Sequence, residues 1–166
     1  MMKTRLYLTI FLSLLISSAA ATQISNCTNE EATIFTCSVK KKVLSICASK
    51  NESPQKYIEY RYSVGKKNPS FIYRADKSNP TRSFNRASVL GASSESIIIW
   101  FENDNYTYLV NNPIKGYPSV SVWKAGREIA DNQCTGNYGG DAEVSNPLIR
   151  ERSSEDYFKI LETTKD

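Results

Sequence analysis

Histidine is absent from the 166-residue chain. That removes Ser-His-Asp and Cys-His arrangements, paired-histidine zinc motifs and the usual physiological-pH switch. A large charge excess is also missing, since 21 basic residues meet 17 acidic ones for a formal charge of +4. A nucleic-acid binder concentrates basic residues on one face. The only basic cluster here is Lys40-Lys41-Lys42, between two apolar stretches, and it reads as a solvated hairpin turn. No apolar run reaches the roughly 20 residues of a membrane span. What remains is 40% apolar and 23% charged, enough for one packed domain.

The first 21 residues are expected to be a processed export leader. Lys3 and Arg5 supply the positive start, residues 6–16 the apolar segment, and Ser17, Ser18 and Ala19 the first of the small residues before cleavage. Cys27 follows Ile24-Ser25-Asn26, without the small residues of a lipid-attachment site. The expected mature domain, 22–166, carries a formal charge of only +2 once Lys3 and Arg5 are gone.

Four cysteines in an exported chain point to two disulfides. Cys27, Cys37 and Cys47 are evenly spaced and Cys134 is remote. That spacing suits neither a CxxC redox site nor a zinc ribbon. Three pairings are possible. The preferred one joins Cys37 to Cys134, first strand to last, and lets Cys27–Cys47 fasten the N-terminal arm.

The body of the chain reads as short strands between turns. Residues 33–39 and 43–48 flank the lysines. In 57–64, Ile58, Tyr60 and Tyr62 alternate with Tyr57, Glu59 and Arg61, a period of two. Residues 71–74 and 83–90 follow. The run 97–101, Ile-Ile-Ile-Trp-Phe, is too β-branched and aromatic for a surface helix. It returns through Glu102-Asn103-Asp104-Asn105 into a strand at 106–110. A second hairpin turns at Ala125-Gly126. Residues 135–141 are glycine-rich and read as a loop. Ser153 and Asp156 open a short helix whose Tyr157, Ile160 and Leu161 share a face. The fold expected is all-β, an antiparallel barrel or sandwich of about eight short strands with a short C-terminal helix, tied by disulfides.

No catalytic set emerges. Glu95 and Glu102 are an odd number of residues apart on one strand, so they face opposite ways. Glu102 and Asp104 read as solvated turn acids without the ligand count of a calcium loop. Gly136-Asn137-Tyr138-Gly139-Gly140-Asp141 lacks the Lys-Ser/Thr ending of a phosphate loop. No serine sits in a Gly-x-Ser-x-Gly elbow. Neither cofactor nor metal is expected. Asn26, Asn51 and Asn105 head glycosylation sequons. Ten tyrosines are many for this length, and Tyr60 and Tyr62, with Tyr57 and Tyr73, offer a tyrosine-rich contact face.

The pattern Phe35-Thr36-Cys37, Lys42 to Ser49, Tyr60-Arg61-Tyr62 and Trp123 to Arg127 closing on Cys134 resembles a group of small exported proteins of Gram-negative bacteria. That likeness implies a periplasmic address. The layout of Phe-x-Cys, Ala92-Ser93-Ser94, Trp100-Phe101 and a late Gly126 strand before Cys134 is also similar to the periplasmic inhibitors of c-type lysozyme. That family is a small barrel with a first-to-last-strand disulfide, and it inserts a serine-bearing loop into the lysozyme cleft. Its Ser-Gly-x-x-Tyr reads Ser93-Ser94-Glu95-Ser96-Ile97 here, and its Thr-Lys-Gly reads Glu102-Asn103-Asp104. By position the resemblance implies Ser93 as the inserted serine, with Ser94, Glu95, Asn103 and Asp104 beside the contact.

The function expected is therefore a non-catalytic periplasmic binding protein. It would block a cell-wall-acting or toxic enzyme, as a lysozyme-type inhibitor or an immunity protein. The alternatives are an envelope structural or small-ligand module, which would need a deep apolar pocket, and a hydrolase using carboxylates alone.

Overall fold

The computed structural model describes residues 24–50, 52–65, 68–79 and 81–162. The expected leader and the asparagine of the second sequon lie outside the described residues. In chain order the elements are β1 (Glu31–Val39), β2 (Lys42–Ser49), β3 (Tyr57–Val64), β4 (Phe71–Asp76), β5 (Phe84–Leu90), β6 (Glu95–Asn103), β7 (Tyr106–Pro113), β8 (Ser119–Lys124), β9 (Arg127–Gln133), β10 (Tyr138–Gly139), β11 (Ile149–Glu151) and α1 (Ser154–Glu162). They build two sheets, ordered β10-β1-β2-β3-β4 and β11-β5-β6-β7-β8-β9. Each is an antiparallel meander with one short late strand added at its edge. The fold is all-β and disulfide-tied, with one C-terminal helix, as expected.

Two features differ from the expectation. The strands number eleven among the described residues rather than about eight, and β11 runs parallel to β5. Both added strands lie where local patterning is silent. The expected loop 135–141 contains β10, which pairs Tyr138 with Cys37 and Gly139 with Thr36. Gly140 permits that approach. Its φ is +109°, and a Cβ there would stand 2.6 Å from the Ile34 carbonyl oxygen.

The sheets face each other across an aromatic core. Even positions of β3 and odd positions of β6 point inward, so Tyr60, Tyr73, Phe84, Phe101 and Tyr108 meet. Phe101 and Tyr108 are opposite in register and stack at 4.8 Å, while Tyr73 stacks on Phe101 at 4.1 Å. The run Ile97 to Phe101 does not alternate in polarity because both its faces are covered. Ile99 and Phe101 enter the inter-sheet core. Ile98 and Trp100 face outward and are roofed by Tyr157, Ile160 and Leu161 of α1. The helix opens on a reciprocal cap: Asp156 N–H donates to Ser153 Oγ at 3.1 Å, and Ser153 N–H returns to Asp156 Oδ2 at 3.2 Å.

Both disulfides form as expected, Cys27–Cys47 and Cys37–Cys134. The second joins β1 of one sheet to the residue leaving β9 of the other. The two late strands mean that β9 is not the last, as the pairing argument had it. Cys27 anchors a segment, residues 24–28, that crosses the outer face of the first sheet. Asn26 is its centre. Its amide donates to the Val43 carbonyl at 3.0 Å, its side-chain oxygen accepts from Ser63 at 2.9 Å, and its backbone oxygen accepts from Arg61 at 2.9 Å. Without this cover, the hydroxyls of Thr36, Ser45 and Ser63, all in fully buried residues, would lose partners they need.

Candidate functional site

The end of the second sheet at which β5 turns into β6 gathers the expected serines. Gly91 N–H donates to the Ser94 carbonyl at 2.8 Å, so the chain reverses tightly and leaves Ala92 and Ser93 exposed. The neighbouring β7–β8 connection is bound to it. Lys115 N–H donates to Ser94 Oγ at 3.2 Å, and Ile114 N–H donates to the Glu95 carbonyl at 2.9 Å. Glu95 pairs across the strands with Leu90 and accepts the Ser88 hydroxyl.

These two connections present apolar side chains to solvent. Leu90 is 81% exposed, Ile114 65% and Tyr117 64%. Tyr117 meets Tyr138 of β10 edge-on, ring centroids 6.1 Å apart. Exposed apolar side chains gathered at one end of a domain mark a contact surface, whereas isolated ones are ordinary. Leu90 pairs with Glu95 and Ile114 binds the Glu95 carbonyl, so both stand at the serine-bearing turn, with Lys115 and Glu95 supplying charge, while Tyr117 follows on the same β7–β8 connection. The structure thus brings Ser93, Ser94 and Glu95 together and adds Leu90, Ile114, Tyr117 and Tyr138. Sequence reasoning missed these four. The available sign was Ile114-Lys115-Gly116-Tyr117-Pro118, in which two large apolar residues occupy a Gly/Pro turn.

The other expected contact residues lie elsewhere. Asn103 ends β6 and Asp104 begins the following turn with φ +55°. The nine residues of β6 hold them roughly 30 Å from Ser94. Tyr60 and Tyr62 face the second sheet because even positions of β3 do. Tyr60 is 6% exposed and packs on Phe71, Phe101 and Tyr108. Burial, with Tyr108 and Tyr62 beside it, pushes its phenol well above the usual range. Tyr62 is partly buried, with the Lys42 ammonium 5.7 Å from its ring centroid. Neither forms an exposed face.

The charged residues on the outer side of the first sheet form a network. Glu31, Arg61, Glu59, Arg74 and Asp76 are linked by N···O contacts of 2.6 to 2.9 Å. Every acid there is matched to a guanidinium. Burial disfavours the charged Glu31, but Arg61, the Thr28 N–H and the Tyr57 hydroxyl outweigh it and bring its pKa to about 2. A carboxylate held so firmly is a structural anion, not a proton shuttle. Among the described residues no group of three or more His, Cys, Asp or Glu is placed to hold a metal, and no helix is long and apolar enough to cross a membrane.

No protein-family model, curated protein or solved structure matches the chain.

Proposed function

We propose that this chain is an exported binding protein that blocks a cell-wall-acting or toxic enzyme. The loop end carrying Ser93, Leu90, Ile114 and Tyr117 makes the contact. The observation that carries this reading is the convergence of exposed apolar tips with the serine-bearing turn at one end of a rigid sandwich. Aromatic and aliphatic anchors at the centre of an interface, ringed by polar groups, dominate binding energy. The Cys37–Cys134 disulfide, with the Cys134 N–H on the Pro118 carbonyl at the base of the β7–β8 connection, and the aromatic core hold this end, so little ordering entropy opposes docking. The resemblance in layout to periplasmic lysozyme inhibitors supports the same end of the molecule through Ser93. A second reading, a lipophilic-ligand carrier, is less favoured because stacked rings fill the space between the sheets.

The test is inhibition and binding. The disulfide-bonded protein is titrated against c-type lysozymes and against effectors secreted by neighbouring cells. Leu90→Glu, Tyr117→Ala and Ser93→Arg are run in parallel. Stoichiometric inhibition of one of these enzymes, weakened by at least tenfold in the variants, is expected. Inhibition untouched by all three variants would move the interface elsewhere, and no inhibition of any enzyme would overturn the reading.

A further inference from the structure

A second feature lies at the far end of the second sheet, under α1. The register sets Arg150 beside Asn85 and Asn85 beside Trp100, so one cross-strand row on the outer face reads Arg150, Asn85, Trp100. This row forms the floor of a cleft of about 360 Å³, and Asp156 and Lys159 of α1 form its roof. Arg152 reaches in from the chain between β11 and α1, and its Nε donates to Asn85 Oδ1 at 3.0 Å. Ser83 and Glu102 close the far wall.

Three cations and two carboxylates thus border one small cleft. Asp156 is engaged by the N–H and hydroxyl of Ser153 in the helix cap. No hydrogen bond or ion pair among the described residues engages the guanidinium of Arg150, and only Nε of Arg152 is used by Asn85. A separate observation concerns the floor. Trp100 is 2% exposed, and its indole N–H has no hydrogen-bond acceptor among the described residues. Buried donors are almost always satisfied, so this N–H is an unpaired donor in the side chain that floors a cation-lined cleft. The other tryptophan has one: Trp123 Nε1 donates to Ser121 Oγ at 3.1 Å.

We propose that this cleft binds a small ligand through an oxyanion group, held by Arg150 and Arg152 above the Trp100 indole. Guanidinium groups suit carboxylate and phosphate oxygens, offering paired donors in a planar fork. The cleft is lined by β4, β5, β6, β11, α1 and the connections carrying Ser83 and Arg152, and includes no residue of the loop end. The site is therefore independent of the enzyme-blocking surface.

Nitrogen-15 NMR of the full protein tests this with inorganic phosphate and acetate as separate probes and sodium chloride at matched ionic strength as the screening control. The two indole resonances are assigned with Trp123→Phe. A saturable shift of the Trp100 indole resonance with one or both probes, with that of Trp123 unmoved, is expected. Phosphate alone would assign the cleft to phosphoryl groups, and acetate alone to carboxylates. Arg150→Gln, which removes no hydrogen bond or ion pair among the described residues, should weaken binding about tenfold, equivalent to about 1.4 kcal/mol. Arg150→Gln/Arg152→Gln should abolish it, with the remaining spectrum reporting the fold. Absence of a saturable shift with both probes, equal shifts in both indoles or with sodium chloride, or undiminished binding in Arg150→Gln would overturn the proposal.

Discussion

Arg61 grips Glu31 through two parallel contacts, Nη2 to Oε1 at 2.6 Å and Nη1 to Oε2 at 2.7 Å. The Glu31 side chain is 2% exposed and that of Arg61 13%. The pair therefore sits in a poorly solvated layer between the first sheet and the arm at residues 24–28. Removing one partner strands the other in that layer. Arg61→Met should cost about 3 to 5 kcal/mol in urea unfolding, because Glu31 would then be buried without a cation beside Glu59, which keeps only Arg74. Arg61→Lys keeps the charge but loses the planar fork, and its midpoint should fall between those of the parent and Arg61→Met.

The same pair sets an acid limit. The Glu31 carboxyl titrates near 4.5 ordinarily and near 2 in the folded chain. Its folded pKa is depressed, so its contribution to stability is complete above 4.5 and is lost as pH falls from 4.5 towards 2. Urea midpoints measured across that window should decline for the parent and decline less for Glu31→Gln. Parallel declines would show that the acid sensitivity belongs to other carboxylates.

The two disulfides should contribute unequally. Cys37–Cys134 closes a separation of 97 residues and Cys27–Cys47 one of 20. Chain entropy gives about 4 to 5 kcal/mol for the first and about 3 for the second. Thermal unfolding of Cys37→Ser/Cys134→Ser against Cys27→Ser/Cys47→Ser should preserve that order. The shorter loop also holds the arm, so its loss should specifically raise amide exchange at Asn26, whose N–H donates to Ser45 Oγ at 2.9 Å.

Gly140→Ala should detach β10. The new Cβ meets the Ile34 carbonyl, and the positive φ adds strain of about 1 to 3 kcal/mol. Hydrogen exchange should quicken at Asp141, whose N–H donates to the Thr33 carbonyl, and at Ser38, which donates to Asn137. Exchange on β6 should be unaffected.

The β8–β9 hairpin can be improved. Ala125 and Gly126 both have positive φ, +41° and +74°. A two-residue turn of that kind favours Asn-Gly over Ala-Gly. Ala125→Asn should raise stability by about 0.5 to 1 kcal/mol, read as a higher melting temperature.

Much of this architecture is legible along the chain because its causes are local. Alternation at Ile58, Tyr60 and Tyr62 needs only the two-residue repeat of a strand, and it matches the observed inward face. Two-residue turns at Lys40-Lys41 and Ala125-Gly126 and the Ser153 cap involve neighbours in sequence. The candidate site is only partly legible. Ser93, Ser94 and Glu95 lie together, but Ile114 and Lys115, some twenty residues away, are fixed beside them by hydrogen bonds to the Glu95 carbonyl and Ser94 Oγ that no spacing encodes.

By itself, then, the order of residues determined a β-rich chain with a capped terminal helix and a core drawn from alternating apolar positions. Each of these follows from side-chain period, turn geometry or capping over a few residues. Tertiary structure alone decided that β11 runs parallel to β5, that β10 uses Gly140 to reach β1, and that Asn26 seals the polar layer. Those outcomes depend on which distant segments can satisfy each other's buried polar groups and fill the same volume. Only the closed fold places such groups side by side.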